Sequence, residues 1–508
     1  MEIQNKNTTT YLNLTSIFLL FLLIIKLVYI YINYGYSEYV QIIPDDAFYY
    51  LQIAKNWSIK GIWTFDGTNL ASGFHPLHAY FLGIIYKIQP EIQLKEIFFI
   101  CSSIYIISYV YSYFQISKII FPHLKNKSNL IFCFITWIST ASLTMPFMLM
   151  EGWIPLICTS IFIKLLFDTS KDHKKTNFII PTIGMLGILG RLDFIVFSIS
   201  LFMAWAIIVY KKVNKKNHEI ILLRMKKFFL GNILGVIFLI IHNFLNFERF
   251  IQSSAEIKSF WVSQQGYDFK SILVFIPKLF LPTEFNSVLA YLIIFIFFSI
   301  TTFVFIKYLF NNNANLKILT LYISSYFLIF LYIIAFTRSG GNAYWYMVPF
   351  IIPSSIAITF AIDEFILKKK YFLNFSLIAF FTILSSTNLF FKSYPLQKDI
   401  YIKTFEISKK NYKKIGSWNS GIVSYFTRGV KVINLDGLEN DSIVKNIKNN
   451  NTNNYIKNEN LEALVDYPST LREKHLGINF KEIKSCISNK EALYEQKFEI
   501  FEIKENCL

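Results

Sequence analysis

Two adjacent carboxylates, Asp45 and Asp46, stand in the run Ile43-Pro44-Asp45-Asp46-Ala47-Phe48-Tyr49-Tyr50. They follow an apolar stretch, Leu14 to about Tyr31, that is long enough to cross the roughly 30 Å hydrocarbon core of a bilayer. The pair is therefore expected in water beside lipid. Beyond it, Tyr50, Ile53, Ala54 and Trp57 recur at helical spacing, which predicts an amphipathic helix over residues 47–59 on the membrane surface, ended by Gly61. Capping accounts for one acid, because a carboxylate at a helix entrance satisfies free backbone N–H groups and complements the dipole. The second is surplus to capping. Neighbouring carboxylates raise one another's proton affinity unless they share a cation, the usual route to a general base or a metal ligand.

The elements that must position this pair follow from composition. Of the 508 residues, 54% are hydrophobic and 18% aromatic, with mean hydropathy +0.42. Ordinary soluble domains hold roughly 45 to 50% apolar residues, so the chain reads as an α-helical polytopic membrane protein. Ile, Phe, Lys and Asn are abundant throughout, a compositional bias rather than low-complexity structure. The net charge of +17 matters by position. Lysines and arginines cluster between apolar runs, at Lys118, Lys125 and Lys127, at Lys171, Lys174 and Lys175, through Lys211 to Lys227 with Arg224, and at Lys368, Lys369 and Lys370. Such loops face the cytoplasm, and no nucleic-acid partner is called for.

With those loops inside, apolar runs near 129–147, 152–167, 177–192, 194–210, 228–246, 284–308, 318–336, 345–361 and 372–391 alternate in direction. The region 76–116 must cross once net, although it reads as a short apolar stretch, a Lys87 to Glu96 interruption and a longer helix. The expectation is about 11 to 13 transmembrane helices, with the N-terminus cytoplasmic and the C-terminus outside. The first apolar segment has no small-residue cleavage site behind it and reads as a retained anchor.

Composition shifts near Tyr394, which divides the chain into a transmembrane domain, 1–393 with a first outer loop at 36–75, and a small extracytoplasmic α/β domain, 394–508. The latter reads as a strand Lys414 to Trp418, a helix opened by Asn419, a strand Lys431 to Leu435, a polar helix near Asp441 to Lys448 and a strand Ala463 to Asp466. The turn Gly416-Ser417-Trp418-Asn419-Ser420-Gly421 lacks the glycine pattern of a phosphate-binding loop. Cys101, Cys133 and Cys158 lie within apolar runs as core residues, whereas Cys486 and Cys507 either pair or stay reduced. No internal repeat and no His/Cys metal spacing is evident.

Asp45-Asp46-Ala47-Phe48-Tyr49-Tyr50, Ala54-Lys55-Asn56, Phe65-Asp66-Gly67 and Ser72-Gly73-Phe74-His75-Pro76-Leu77 together resemble the first outer loop of bacterial membrane glycosyltransferases of the GT-C superfamily. This superfamily includes protein O-mannosyltransferases, lipid A aminoarabinose transferases, arabinofuranosyltransferases and oligosaccharyltransferases. Trp418-Asn419-Ser420-Gly421 and Ile433-Asn434-Leu435-Asp436-Gly437-Leu438-Glu439-Asn440 look like the C-terminal domain of an uncharacterised bacterial branch. The middle of the chain matches through short pieces, Met150-Glu151-Gly152, Arg191-Leu192-Asp193 and Trp345-Tyr346.

The resemblance implies GT-C architecture in the bacterial plasma membrane. It also implies transfer of a hexose or pentose from a polyprenyl-phosphate donor to a glycan, lipid or protein acceptor outside, with inversion. Asp45 or Asp46 would be the base, and the motif leaves open which. The other acid caps the helix or holds a divalent metal, Mg or Mn, for which Asp46 is the candidate. Arg191, Lys258 and Arg338 are expected at outward ends of spans, where a lipid phosphate needs positive charge. Arg191 interrupts an apolar stretch and either meets that phosphate or closes its hairpin by pairing with Asp193; Lys258 and Arg338 otherwise snorkel at the interface. Glu151 supplies a second acid or caps the next helix. His75 contacts substrate or serves the helix entrance before Pro76. Trp345 and Tyr346 stack on sugar or belong to an interfacial aromatic belt. Rival readings are a transporter or flippase of a lipid-linked or small polar substrate, and an inactive scaffold; the sparse acids and helix breaks inside spans and the intact acid pair weigh against them.

Overall fold

A computed structural model describes residues 2–167, 173–210, 215–265, 298–307, 310, 316–336, 344–365 and 393–507. In chain order the main helices are α1 (Glu2–Asn33), α2 (Asp45–Lys60), α3 (Pro76–Ile88), α4 (Leu94–Ile120), α5 (Leu130–Trp137), α6 (Trp153–Phe167), α7 (His173–Gly190), α8 (Ile195–Tyr210), α9 (Lys215–Phe247), α10 (Ser253–Gln265), α11 (Leu316–Phe336), α12 (Val348–Phe365), α13 (Gln397–Lys409) and α14 (Ser420–Phe426). The expected runs at 372–391 and at most of 284–308, and Arg338, lie outside the described residues.

The chain folds as two compact units. One comprises the described residues of Met1–Ile32, Phe98–Phe238 and Asp268–Phe391; the other gathers Asn33–Ile97, Leu239–Tyr267 and Lys392–Leu508. The first is helical. Leu12–Asn33, Leu94–His123 and Glu219–Phe247 are long and apolar enough to cross a bilayer, and five shorter apolar helices accompany them among the described residues. Leu14, Ile17, Phe21 and Ile32 of α1, and Ile237, Phe238 and Ile241 of α9, stand exposed. Apolar residues facing outward along a spanning helix suit lipid, whose tails replace the core as solvent. The chain is thus a multi-pass membrane protein. Within this unit α8 packs on α11, α11 on α12, and α12 on α5.

The apolar run 129–147 does not form one helix. α5 stops at Trp137, and a short helix Thr140–Thr144 and a 3-10 turn Met145–Phe147 follow. Ser142 Oγ donates to the Thr136 carbonyl at 2.9 Å, and Pro146 has no N–H to give. Hydropathy registers the apolar side chains and is blind to these competing hydroxyls.

In the second unit, α2 runs from Asp45 and closes on Gly61 in the left-handed region. Its expected apolar face is covered by protein rather than by lipid. Phe48, Tyr49, Leu51, Ile53 and Ala54 are buried, and α2 packs against α3 and α14. A four-stranded sheet has the order β2-β1-β3-β4, with β1 (Lys414–Ser417), β2 (Lys431–Asn434) and β3 (Ala463–Asp466) parallel and β4 (Glu499–Glu502) antiparallel to β3. Ile415 of β1 pairs with Val432 and Ala463 on its two sides. Trp418, Ile433, Leu435 and Leu464 form a core that takes in Ile257 of α10. β4 was not anticipated, because its four residues carry glutamates at both ends and only two apolar side chains between them. Cys486 and Cys507 form a disulfide.

Candidate active site

Asp45 and Asp46 occupy the first turn of α2, whose N-cap position is Pro44. Asp45 does not cap its own helix. Its Oδ1 accepts the Ile422 N–H at 2.7 Å and its Oδ2 the Gly421 N–H at 3.0 Å, so it caps α14, which is distant in sequence. The approach requires Gly421, since a Cβ there would meet the Asp45 carbonyl oxygen at 2.2 Å. Burial pushes the Asp45 carboxyl up to about 7, against the two N–H donors and with the Asp46 charge adding to the rise. The preceding amides are taken by a second acid. Asp466 Oδ2 accepts from the backbone N–H of Trp418 at 2.9 Å and of Asn419 at 2.8 Å, and its Oδ1 from Asn419 Nδ2, the Tyr467 N–H and Thr470 Oγ1. The glycine-bearing turn therefore presents its amides to carboxylates of the chain itself.

Asp46 takes no part in that cap. It is half-buried, and its charge acts on Tyr49, Asp436 and Glu439. The Tyr49 hydroxyl divides its single proton between the Trp418 carbonyl at 3.0 Å and Asp436 Oδ2 at 3.2 Å, and accepts from the Ser420 N–H at 3.3 Å. Burial raises Asp436 to about 7, opposed by the Leu438 N–H that donates to its Oδ1 at 2.7 Å. Glu439 is 5% exposed, and its Oε2 has no hydrogen-bond partner among the described residues. Burial first, then Asp436, Asp441 and Asp46, hold this carboxyl well above the usual range, while Lys258 of α10 pulls the other way.

Three segments hold this group together. Asn434 Oδ1 accepts from the N–H of Gly437 and of Glu439, which folds the chain after β2 into a tight loop. Gly73 lies against that loop so closely that a Cβ would fall 1.8 Å from the Leu438 carbonyl oxygen. Ser253 Oγ of α10 donates to the same oxygen at 2.8 Å, and Asp441 Oδ1 accepts from Ser72 N–H and Oγ. Buried carboxylates that raise one another's proton affinity, with Lys258 nearby, can accept a proton from a hydroxyl or amine at near-neutral pH.

The other anticipated residues divide between the two units. His75 is the N-cap residue of α3 by backbone, and its N–H donates to the Tyr50 hydroxyl at 3.2 Å. In the helical unit Arg191, Glu151, Trp345 and Tyr346 come together. Arg191 is 2% exposed; its Nε and Nη2 donate to Asp193 at 3.0 and 2.8 Å, and its Nη1 donates to Glu151 Oε1 at 3.0 Å and to the Trp345 carbonyl at 3.3 Å. Its guanidinium also lies 5.6 Å from the centroid of the Tyr346 ring. The pairing with Asp193 that could close the hairpin is thus formed, and Glu151 joins it. Asp66, part of the first-loop motif, builds a turn by accepting from the Thr68 and Asn69 N–H groups.

Among the described residues, no group of three or more His, Cys, Asp or Glu side chains is arranged to hold a metal ion. Asp45 faces N–H donors, which suit an anion and not a cation, so a metal ligand from the pair would be Asp46. Sequence reasoning quoted Asp436, Glu439 and Tyr49 within motifs and Asp466 at the end of a strand without giving any of them a role. The available signal was two acids three residues apart directly after a strand, where a ligand-facing loop is common.

No protein-family model matches the sequence, and no curated protein sequence matches it. Solved structures do. ArnT from Cupriavidus metallidurans in the apo state aligns with TM-score 0.52 at 10% identity, over 86% of this chain and 91% of that one. The same protein bound to undecaprenyl phosphate aligns with TM-score 0.52 at 9% identity, over 88% of this chain and 94% of that one. At such identity the likeness is one of fold, and it extends over most of both chains.

Proposed function

We propose that the protein is a glycosyltransferase that moves a hexose or pentose from a polyprenyl-phosphate donor to an envelope acceptor on the outer face of the bacterial plasma membrane. The GT-C fold supports the class, and the undecaprenyl phosphate bound to ArnT supports the kind of carrier. Nucleotide sugars are confined to the cytoplasm, so an outward site needs a donor that is itself anchored in lipid. Residues 394–508 and the first outer loop would then stand outside, and the N-terminus inside, as the lysine distribution requires.

The observation that carries the residue assignment is the engagement of Asp45 by Gly421 and Ile422. Both Asp45 oxygens already accept backbone N–H groups, which commits them to the cap of α14 even though burial raises the carboxyl to about 7. Asp46 becomes the base. An acceptor hydroxyl or amine attacks the anomeric carbon, Asp46 takes its proton, the bond from that carbon to the phosphate oxygen breaks with inversion, and polyprenyl phosphate leaves with the electron pair. Lys258, beside the carboxylates, is the cation best placed to meet the departing phosphate, since Arg191 is matched by Asp193 and Glu151.

The test is transfer of labelled sugar from undecaprenyl-phosphate-linked donors to an envelope fraction by proteoliposomes of the purified protein. The wild type is expected to transfer, and Asp46→Asn to lose about 100-fold to 10,000-fold in rate, the usual cost of removing a general base. Movement of the intact lipid-linked sugar across the bilayer without transfer would establish the transporter instead.

A further inference from the structure

A recess in the second unit is lined by none of the carboxylates described above. It is a groove of about 540 Å³ between α2, the loop before α4, α13 and α14, within the roughly 300 to 1,000 Å³ range of small-molecule sites. Its floor is aromatic. The Tyr401 ring meets Phe426 edge-on at 4.8 Å and Phe405 at 5.0 Å, and Tyr36 lies 5.8 Å from Phe426. These rings are not sealed in, for Phe405 is 52% and Tyr36 39% exposed. Lys55 and Arg428 line the groove, are exposed, and form no ion pair among the described residues; Glu91 on the opposite rim is likewise unpaired. Gln52 and Gln93 add amide groups.

Aromatic faces with amides beside them suit the C–H faces and hydroxyls of a sugar or other polyol ring, and two unpaired cations against one acid favour a ligand with negative charge. The position in the chain gives its depth. Tyr36 comes three residues after the apolar segment Leu12–Asn33, and Leu94 is the first residue of Leu94–His123, so two of the lining segments adjoin in sequence the ends of helices long and apolar enough to cross a bilayer.

We infer that this groove binds the anionic polyol or saccharide headgroup of a membrane lipid. Its use as the docking site of a lipid-anchored acceptor rests on the transferase reading above; the binding itself does not.

Native mass spectrometry of the full-length protein in mixed micelles tests it with three probes: phosphatidylinositol, phosphatidylserine and a neutral galactosyl lipid. Phosphatidylinositol should be retained about tenfold more tightly than either of the others, corresponding to roughly 1.4 kcal/mol. Phe405→Ala and Arg428→Gln change exposed side chains, so they should keep the melting temperature and lose that preference. Asp46→Asn should keep both, which separates this site from the transfer reaction. Equal retention of the three lipids, or an unchanged preference in Phe405→Ala and Arg428→Gln, would overturn the proposal. Full displacement of the lipid by equimolar inositol 1-phosphate would assign the groove to a soluble anionic polyol and overturn the membrane source.

Discussion

The two units of this protein treat buried charge in opposite ways. In the helical unit, Arg191 is enclosed with Asp193 and Glu151, and its three nitrogen atoms all have carboxylate partners at 2.8 to 3.0 Å. In the second unit, Asp46 and Asp436 raise the proton affinity of Glu439 while Lys258 opposes them, and among the described residues a buried Glu439 oxygen has no hydrogen-bond partner. Isolation in low dielectric makes both arrangements costly unless something compensates. Where the compensation is internal, the charge holds helices together and no ligand is needed. Where it is incomplete, burial raises the proton affinity of Asp436 and Glu439, as a group that exchanges protons with a substrate requires.

The largest expected effect concerns the acid pair. Asp46→Asn should lower transfer by about 100-fold or more at unchanged melting temperature. Retained activity in Asp46→Asn with loss in Asp45→Asn would reverse the division of labour proposed for the two residues.

Arg191 comes next. Arg191→Ala leaves two carboxylates without their cation and should destabilise the protein by about 3 to 5 kcal/mol, as breaking a buried pair does. Asp193→Ala should cost a comparable amount, and the double variant should be little worse than either single change because the partners share one interaction. Thermal unfolding and turnover measured on the same detergent-purified variants distinguish this from a phosphate role, in which Arg191→Ala would slow turnover with little change in stability.

The pH dependence sharpens the other half of the comparison. Burial raises Asp45 and Asp436 from near 4 to about 7, so the folded protein binds more protons than the unfolded chain between these values. Stability should therefore be highest near pH 4 as far as these groups decide it, fall by up to about 1.4 kcal/mol per pH unit per group as pH rises toward 7, and level off above. Denaturant titrations of wild type and Asp436→Asn between pH 4 and pH 8 check this; the variant should show the shallower slope.

The smallest effect is expected at the cap. Asp45→Asn keeps the size of the side chain but leaves one acceptor oxygen where two each take a backbone N–H, which should cost about 1 to 3 kcal/mol. The folded fraction should keep its turnover. Gly421→Ala ought to mimic the loss by driving a methyl group against the Asp45 backbone, and equal melting temperatures for Gly421→Ala and wild type would show that the contact is looser than described.

Much of this was legible from local pattern. Helical spacing after Asp46, Gly61 as a stop, the interruption before Leu94 and the strand–helix–strand order from Lys414 to Asp466 all depend on neighbours within a few residues. Such features are set by backbone propensity and side-chain periodicity, and they survive a reading without structure. The break after Trp137 escaped because serine hydroxyls compete for helix carbonyls without changing hydropathy. The strand Glu499–Glu502 escaped because a four-residue edge carries too short an alternation to register.

The sequence by itself determined that this chain lives in a membrane, that an acid pair follows a span, and that a small α/β domain ends it. Only the tertiary structure decided which groups surround each acid. Asp45 meets amides that lie 376 and 377 residues away, and Glu439 gathers its neighbours from the first loop, α10 and the segment after β2. A carboxylate's role depends on which donors, charges and apolar walls surround it, and folding brings those from distant parts of the chain that no local pattern connects.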